Sequence, residues 1–386
     1  MDLGLPGDDD PARLAVRAWL AEHPKPTGRQ LAEAGYVVPH WPAPYGLGAD
    51  PLSQLVIDEE LKSAGVHRPI NPIGIGWAGP TLVYAGTDAQ KERWLWPMLA
   101  GEEFWCQLFS EPGAGSDLAS LGTKAVPDGD AFVVSGQKVW TSFAHVAKWG
   151  ILLARTDSAA PKHRGISYFV CDMRAPGVDV RPLVDMTGEH AFNEVFFDEV
   201  RIPGDQLIGD VNGGWELAKV TLGNERVSLS GEGALWGNGP TAADLLDVVR
   251  PASDALDPVL RQRLVEVFAE GEILRVLRLR TVSAVLAGKA PGPEASVRKA
   301  IADAHGQHVM ELGRDLAGAF GMLEGSGPLG GWARDRRAAP ARWSGASWSG
   351  GFLYSPALTV GGGTAEVQRN IVAEKVLGLP RDPGTS

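Results

Sequence analysis

Cysteine is scarce in this sequence. Two thiols, Cys106 and Cys171, occur in 386 residues, too few for a disulfide framework and wrongly spaced for a paired-cysteine metal site. Positive charge is also in deficit. Against 47 Asp and Glu stand 36 Lys and Arg, a net charge of −11, which argues against a nucleic-acid partner, whose phosphates favour a basic face. No run approaches the roughly 18 uninterrupted apolar residues of a membrane span. The acidic opening, MDLGLPGDDDPARL, lacks the basic stretch and apolar core of a signal peptide. The eight histidines are scattered, with no HExxH; His305 and His308 share a helix face, where a structural role is expected rather than a metal. A soluble, cytoplasmic protein without a metal centre or membrane span is expected.

What is present is ordinary globular chemistry, 44% hydrophobic and 22% charged, in a chain too long for one core. DPARLAVRAWLAEH carries apolar residues at helical spacing behind a capping Asp, and DPLSQLVIDEELKSAG and DAQKERWLWPMLAG are further amphipathic helices. After residue 105 the texture changes to short β-rich runs: DGDAFVVSGQKVWTS, WGILLART, GISYFVCDM, GVDVRPL and NEVFFDEVRIP. Asp128-Gly129-Asp130 signals a tight turn among them, and strands of this number make a small barrel or sandwich. From NGGWELAKVTLGNERVSLSGEG onward the pattern is helical again, with two long periodic segments suited to a bundle. The expected domains are 1–105 (helical), 106–210 (β) and 211–386 (helical), an α+β multidomain chain. Small Gly76, Ala78 and Gly79 either line a roomy pocket or mark tight helix contacts.

Three stretches carry chemistry. CQLFSEPGAGSDLASLGTKA has a Gly-rich centre that lets backbone amides approach a ligand. SGQKVWTSFAHVAKWG sets Trp140 beside Thr141 and Ser142, an indole face next to hydroxyls, suited to a planar ring and its edge. LTVGGGTAEVQRNIVAEKVLGLP opens a helix behind three glycines, a place for an anion. Taken singly, a Gly-rich turn is usually a turn and a strand Trp is usually core.

Together, in this order, the stretches resemble the acyl-CoA dehydrogenase family, with its SEPxAGSD loop and its K-x-W strand followed by a hydroxyl residue. The resemblance runs from WPAPYG to QRNIVAEKVLGLP. It implies a helical domain, a β-domain and a four-helix bundle, FAD, an acyl-CoA substrate, a tetramer, and an electron-transfer flavoprotein as acceptor. It also implies site residues. Gln107, Leu108 and Ser110 would line the flavin and Ser116 would lie near the CoA portion. Trp140, Thr141 and Ser142 would follow the ring edge, with Ser142 nearest the hydride-accepting nitrogen. Thr364 and Glu366 would lie near the ribityl and phosphate region, although Glu366 stands where Gln is common.

Removing hydrogens from the α and β carbons of a thioester needs a general base, best supplied by a carboxylate in a dry pocket. Many members of the family carry that Glu just before the GT of the Gly-rich turn, where this chain has Gly361 and Gly362. Others carry it on the first bundle helix before an Arg, and here Glu225-Arg226 matches. Glu225 shares its helical face with Thr221, Leu222, Ser228 and Leu229, a largely apolar or hydroxyl face with few compensating charges; the alternative is a solvated residue paired with something basic. Arg226 would place the substrate or orient the loop, and Asn224 is a further candidate for a substrate contact.

Two elements depart from the family pattern. R-x-x-F-G has no counterpart in VVRPASDALDPVLRQRL, where Arg250 is displaced, and Asp315 stands about where the Gln of Q-x-x-G-G belongs. Both elements serve a neighbour's cofactor in the family. Two assemblies are therefore open: a heteromer with a related second subunit, and a homo-oligomer in which Arg250, Arg261 or Arg263 binds the phosphates. Three functions are open: a dehydrogenase, a flavin monooxygenase or oxidase, and a non-catalytic subunit.

Overall fold

The computed structural model describes residues 6–228, 233–235, 239–250, 256–286, 292–293, 295–319 and 345–381. It divides into two compact units. The first comprises Met1–Leu183 and Ala191–Asn224, the second Val184–His190 and Glu225–Ser386.

The first unit begins with helices whose ends are written locally. Asp10 caps α1 (Pro11–Glu22), its carboxylate accepting from the amides of Ala12 and Arg13, and Asp50 caps α3 (Pro51–Ser63) in the same way. Between them α2 (Gly28–Glu33) opens on a reciprocal Thr27/Gln30 capping box. A π-helical turn, Gly74–Ala78, leads into α4 (Gly79–Ala85), and α5 (Asp88–Leu99) runs through Pro97 to its end. Gly79 marks a tight contact and opens no pocket: a β-carbon there would stand 2.3 Å from the Trp41 ring.

Eight strands follow: β1 (Trp105–Leu108), β2 (Lys124–Asp128), β3 (Ala131–Lys138), β4 (Trp149–Arg155), β5 (Ile166–Asp172), β6 (Val178–Leu183), β7 (Phe192–Pro203) and β8 (Leu207–Ile208). They hydrogen-bond in the order β6-β7-β3-β2-β4-β5-β8, with β1 parallel to β4. The β2–β3 hairpin turns at Gly129, whose φ is +62°, as its Asp-Gly signal requires. Strands β2 and β4 meet at a single pair, Lys124 and Arg155. The strands on either side of that pair share one core that includes Cys106, Phe132, Val134, Leu152, Phe169, Cys171 and Val195, so the expected barrel or sandwich is one open sheet folded over at this weak seam. Strands β4 and β5 are apolar at almost every position because both faces are covered. Leu152 and Phe169 enter the sheet core, while Ile151, Leu153, Tyr168 and Val170 join the core shared with the helices. There Trp94 meets Trp105 and Trp149 edge-on, at 6.4 and 5.9 Å, contacts worth about 0.5–1.5 kcal/mol each beyond burial.

Helix α6 (Gly214–Ser228) runs from the first unit into the second. The second unit contains α7 (Ala242–Val249), the long α8 (Pro258–Leu286) and α9 (Ala295–Leu316), α10 (Gly345–Tyr354), a 3-10 turn at Ser355–Thr359, and α11 (Ala365–Ile371). Helix α9 is central, packed by α8, α10 and α11. No helix among the described residues is long and apolar enough to cross a membrane.

Candidate active site

In the first unit the Gly-rich loop is stapled to the exit of β3. Lys138, with no solvent exposure, donates to Glu111 at 2.8 Å and to the Phe109 carbonyl at 3.0 Å. The Glu111 carboxylate also accepts from the amides of Gly122 and Thr123, at 2.6 and 2.9 Å, closing the loop on itself. The Ser110 carbonyl accepts from Val139 N at 2.9 Å. Burial lowers Lys138 to about 8, against the pull of Glu111. Burial alone would raise Glu111, but the charge of Lys138 and the loop hydrogen bonds hold it below the usual carboxylate range.

The strand then leaves in an unusual conformation. Trp140 has φ +60° and Phe143 +59°, left-handed geometry costing a non-glycine residue about 1–2 kcal/mol. Such strain persists where the surroundings over-determine it, and here they do. Buried Asn193 accepts from Thr141 N through its backbone carbonyl and donates Nδ2 to the Thr141 carbonyl, both at 3.0 Å, while Phe143 N donates to the Ala191 carbonyl at 2.8 Å. As a result Trp140 stands 63% exposed and Thr141 is buried. The Thr141 hydroxyl oxygen has no hydrogen-bond partner among the described residues. The centre of the Gly-rich loop is bare: β-carbons at Gly113 and Gly115 would meet nothing within 4 Å. Gln107 and Ser142 are half-buried and Ser116 is exposed. Leu108 sends its side chain into the sheet core, so its backbone is what it can offer a ligand.

Glu225 lies near the end of α6, a carboxylate only 8% exposed. Asn224 turns back on its own helix, donating to the Val220 carbonyl at 2.9 Å. The side chain of Arg226 lies outside the described residues.

In the second unit the Gly-rich turn is held from within. Lys299 of α9, 1% exposed, donates to Asp303 at 2.5 Å, to the Gly361 carbonyl at 3.0 Å and to the Leu358 carbonyl at 3.3 Å. Gln368 Nε2 takes the carbonyls of Gly362 and Gly363 at 3.1 and 3.2 Å. Gly362 and Gly363 have φ of +68° and +87°, and a β-carbon at 363 would stand 2.6 Å from Gln368. The turn thus needs glycine for its conformation, and it carries no group able to take a proton. Thr364 caps α11, its hydroxyl accepting from Val367 N at 3.3 Å. Glu366 is exposed and pairs with Arg369 at 3.7 Å.

The departures from the family pattern have internal partners. Asp315 accepts from Arg263 at 2.7 Å and from Arg314 at 3.0 Å. Burial alone would raise its carboxyl, but the two cations hold it low. Arg250 pairs with Asp247 at 3.0 Å, and residues 251–255 lie outside the described ones. His305 and His308 both meet Glu270, at 3.1 and 3.0 Å, and no cluster among the described residues is arranged to hold a metal.

Helical, β and helical regions follow one another in this order, the layout of the acyl-CoA dehydrogenase fold. Residues 11–102, 106–200 and 212–377 match the N-terminal, middle and C-terminal domains of acyl-CoA dehydrogenase, and the chain belongs to that family. It is 44% identical to the acyl-CoA dehydrogenase FadE34 of Mycobacterium tuberculosis over 351 residues, 91% of this chain but 46% of that protein. To acyl-CoA dehydrogenase IpdE1 of the same organism it is 37% identical, covering 98% of this chain and 92% of that one. Among solved structures, the Tcur3481-Tcur3483 steroid acyl-CoA dehydrogenase superimposes with TM-score 0.75 at 30% identity, covering 98% of this chain and 100% of that chain. The ChsE4-ChsE5 complex from Mycobacterium tuberculosis gives 0.74 at 28%, covering 99% and 100%.

Proposed function

We propose that this protein is an FAD-dependent acyl-CoA dehydrogenase whose Glu225 carboxylate removes the α-proton of a saturated acyl thioester to give the 2,3-enoyl product. The observation that carries the reading is the buried Glu225 on α6 in a chain whose Gly-rich turn has no side chain to serve instead. A positioned carboxylate is a side chain able to take that proton as a general base.

Features of the first unit fit a flavin: the unpartnered Thr141 hydroxyl, the exposed Trp140 ring and the bare Gly113–Gly115 backbone. In this reading Gln107, Ser110, Trp140, Thr141 and Ser142 hold the ring, and Thr364 opens the helix beside the ribityl and phosphate region. Glu366, exposed and paired with Arg369, is the weakest member of the set, because an anion repels phosphate. The bound flavin supplies the acceptor for the hydride that leaves the β-carbon. Ser116 faces the CoA portion, Arg226 helps place the thioester, and an electron-transfer flavoprotein removes the electrons in the cell.

We propose further that the acyl group is steroid-derived and that the working form pairs this chain with a related second one. The internal ion pairs of Asp315 support the pairing, since they leave neither an amide nor an unpaired Arg263 for a neighbour's cofactor. The structural relatives that are complexes of two differently named chains support it too, and one of them is called a steroid dehydrogenase.

The test is the 450 nm band of the purified assembly mixed anaerobically with octanoyl-CoA and with a steroid side-chain CoA thioester. Bleaching by the steroid thioester, lost in Glu225→Gln with FAD retained, is expected. An undiminished Glu225→Gln variant would sink the base assignment. One FAD per chain in a homo-oligomer would sink the pairing, and rapid reoxidation in air would favour an oxidase.

A further inference from the structure

Helix α6 is held by a chain of three buried hydroxyls that the reaction itself does not use. Tyr168 Oη of β5 lies 3.0 Å from Thr221 Oγ1, and Thr81 Oγ1 of α4 lies 2.8 Å from the same oxygen. Thr221 is also 3.1 Å from the Leu217 carbonyl, and Thr81 is 3.2 Å from the Trp77 carbonyl in the π-helical turn. All three side chains are fully buried. Every proton has an acceptor: Tyr168 donates to Thr221, Thr221 to Leu217 or Thr81, and Thr81 to Trp77. Burial pushes the Tyr168 phenol well up, so it remains a donor.

Apolar burial of α6, as at Leu217 and Ala218, is non-directional and sets the helix's rotation and register less sharply. Hydrogen bonds are directional. Thr221 sits one helical turn before Glu225 on the same face, so a bond that fixes Thr221 fixes the helix at the turn where the carboxylate stands.

We infer that Thr221, gripped by Tyr168 and Thr81, is a positioning residue that sets the rotation and axial register of α6 and thereby the placement of Glu225. This rests on Glu225 being the base. General-base catalysis is sensitive to ångström displacements, so loss of the grip lowers proton removal by about 10- to 100-fold without removing the base.

The test uses the flavin-loaded assembly and the saturated thioester that bleaches it. Exchange of the α-hydrogen into D2O reads proton removal alone, and thermal unfolding is followed in parallel. Thr221→Val should lose exchange 10- to 100-fold, and Thr221→Ser, which keeps the hydroxyl, should restore most of it. The triple variant Thr221→Val, Tyr168→Phe, Thr81→Val removes all three hydroxyls and orphans none, so its melting temperature should recover while exchange stays low. A triple variant that regains both, or Thr221→Val exchanging like wild type beside an inert Glu225→Gln, overturns the inference alone. Glu225→Gln exchanging normally overturns the base assignment and the inference with it.

Discussion

Lys138 and Glu111 stand 2.8 Å apart, the lysine wholly buried, and between them they fasten both ends of the Gly-rich loop to the strand that presents Trp140. Such a pair is poor evidence of net stabilisation, since both charges lose water, but breaking it from one side is expensive. Lys138→Met should therefore cost about 3–5 kcal/mol, measured by urea unfolding. Because the loop loses its anchor at Phe109 as well, FAD per chain from the 450 nm absorbance should fall. Full flavin content in a destabilised Lys138→Met protein would show that the clamp serves stability only.

The same lysine sets a pH dependence. It titrates near 8 when folded and near 10.5 when unfolded, so between those values the unfolded chain binds the extra proton. Stability from this group therefore rises with pH across that window. The net negative charge of the chain works the other way, but equally in wild type and Lys138→Met. Their difference in unfolding free energy should widen from pH 8 to 10.5, and a difference that stays flat would refute the shift.

How much of this was legible beforehand follows the distance between partners. Asp10 and Asp50 cap helices beginning at the next residue, and Gly129 turns a hairpin between adjacent strands, so local sequence suffices. Strand β1 was not separable from its loop, because Trp105–Leu108 is held by parallel pairing to β4. Lys138 was visible within K-x-W, but its partner is 27 residues away. Asn193, 52 residues from the carbonyl it holds, lies in NEVFFDEVRIP as one polar residue in a strand, a weak signal. Lys299 and Asp303 occur on the buried face of α9 with Ser296, Gly306 and Met310, so two opposite charges one turn apart among small and apolar residues are the sequence signal for this pair. Gly79 has the opposite lesson: smallness there reflects the approach of Trp41.

The Thr141 hydroxyl offers a cleaner test of cofactor placement. Its oxygen is buried with no partner among the described residues, so Thr141→Val keeps shape and removes a liability. Stability of the flavin-free protein should hold or rise slightly. FAD affinity should fall by about 0.5–1.5 kcal/mol, the worth of one hydrogen bond, readable by quenching of FAD fluorescence on titration. Unchanged affinity would move the flavin contact to Ser142 or elsewhere.

Lys299 and Asp303 decide what holds the Gly-rich turn. Asp303 is raised to about 6, burial outweighing the lysine beside it, and Lys299 spends its other donors on the carbonyls of Leu358 and Gly361. Lys299→Met strands a carboxylate in the interior and should cost about 3–5 kcal/mol, whereas Lys299→Met with Asp303→Leu removes both charges and should recover most of that. The carbonyl of Gly361 gains nothing from the second change, so the two losses separate. If the double variant regains its unfolding midpoint but binds FAD less tightly than wild type, the lysine orders the turn for the cofactor. If it regains both, the pair only fills the core, and Gln368 with the two left-handed glycines suffices to shape the turn.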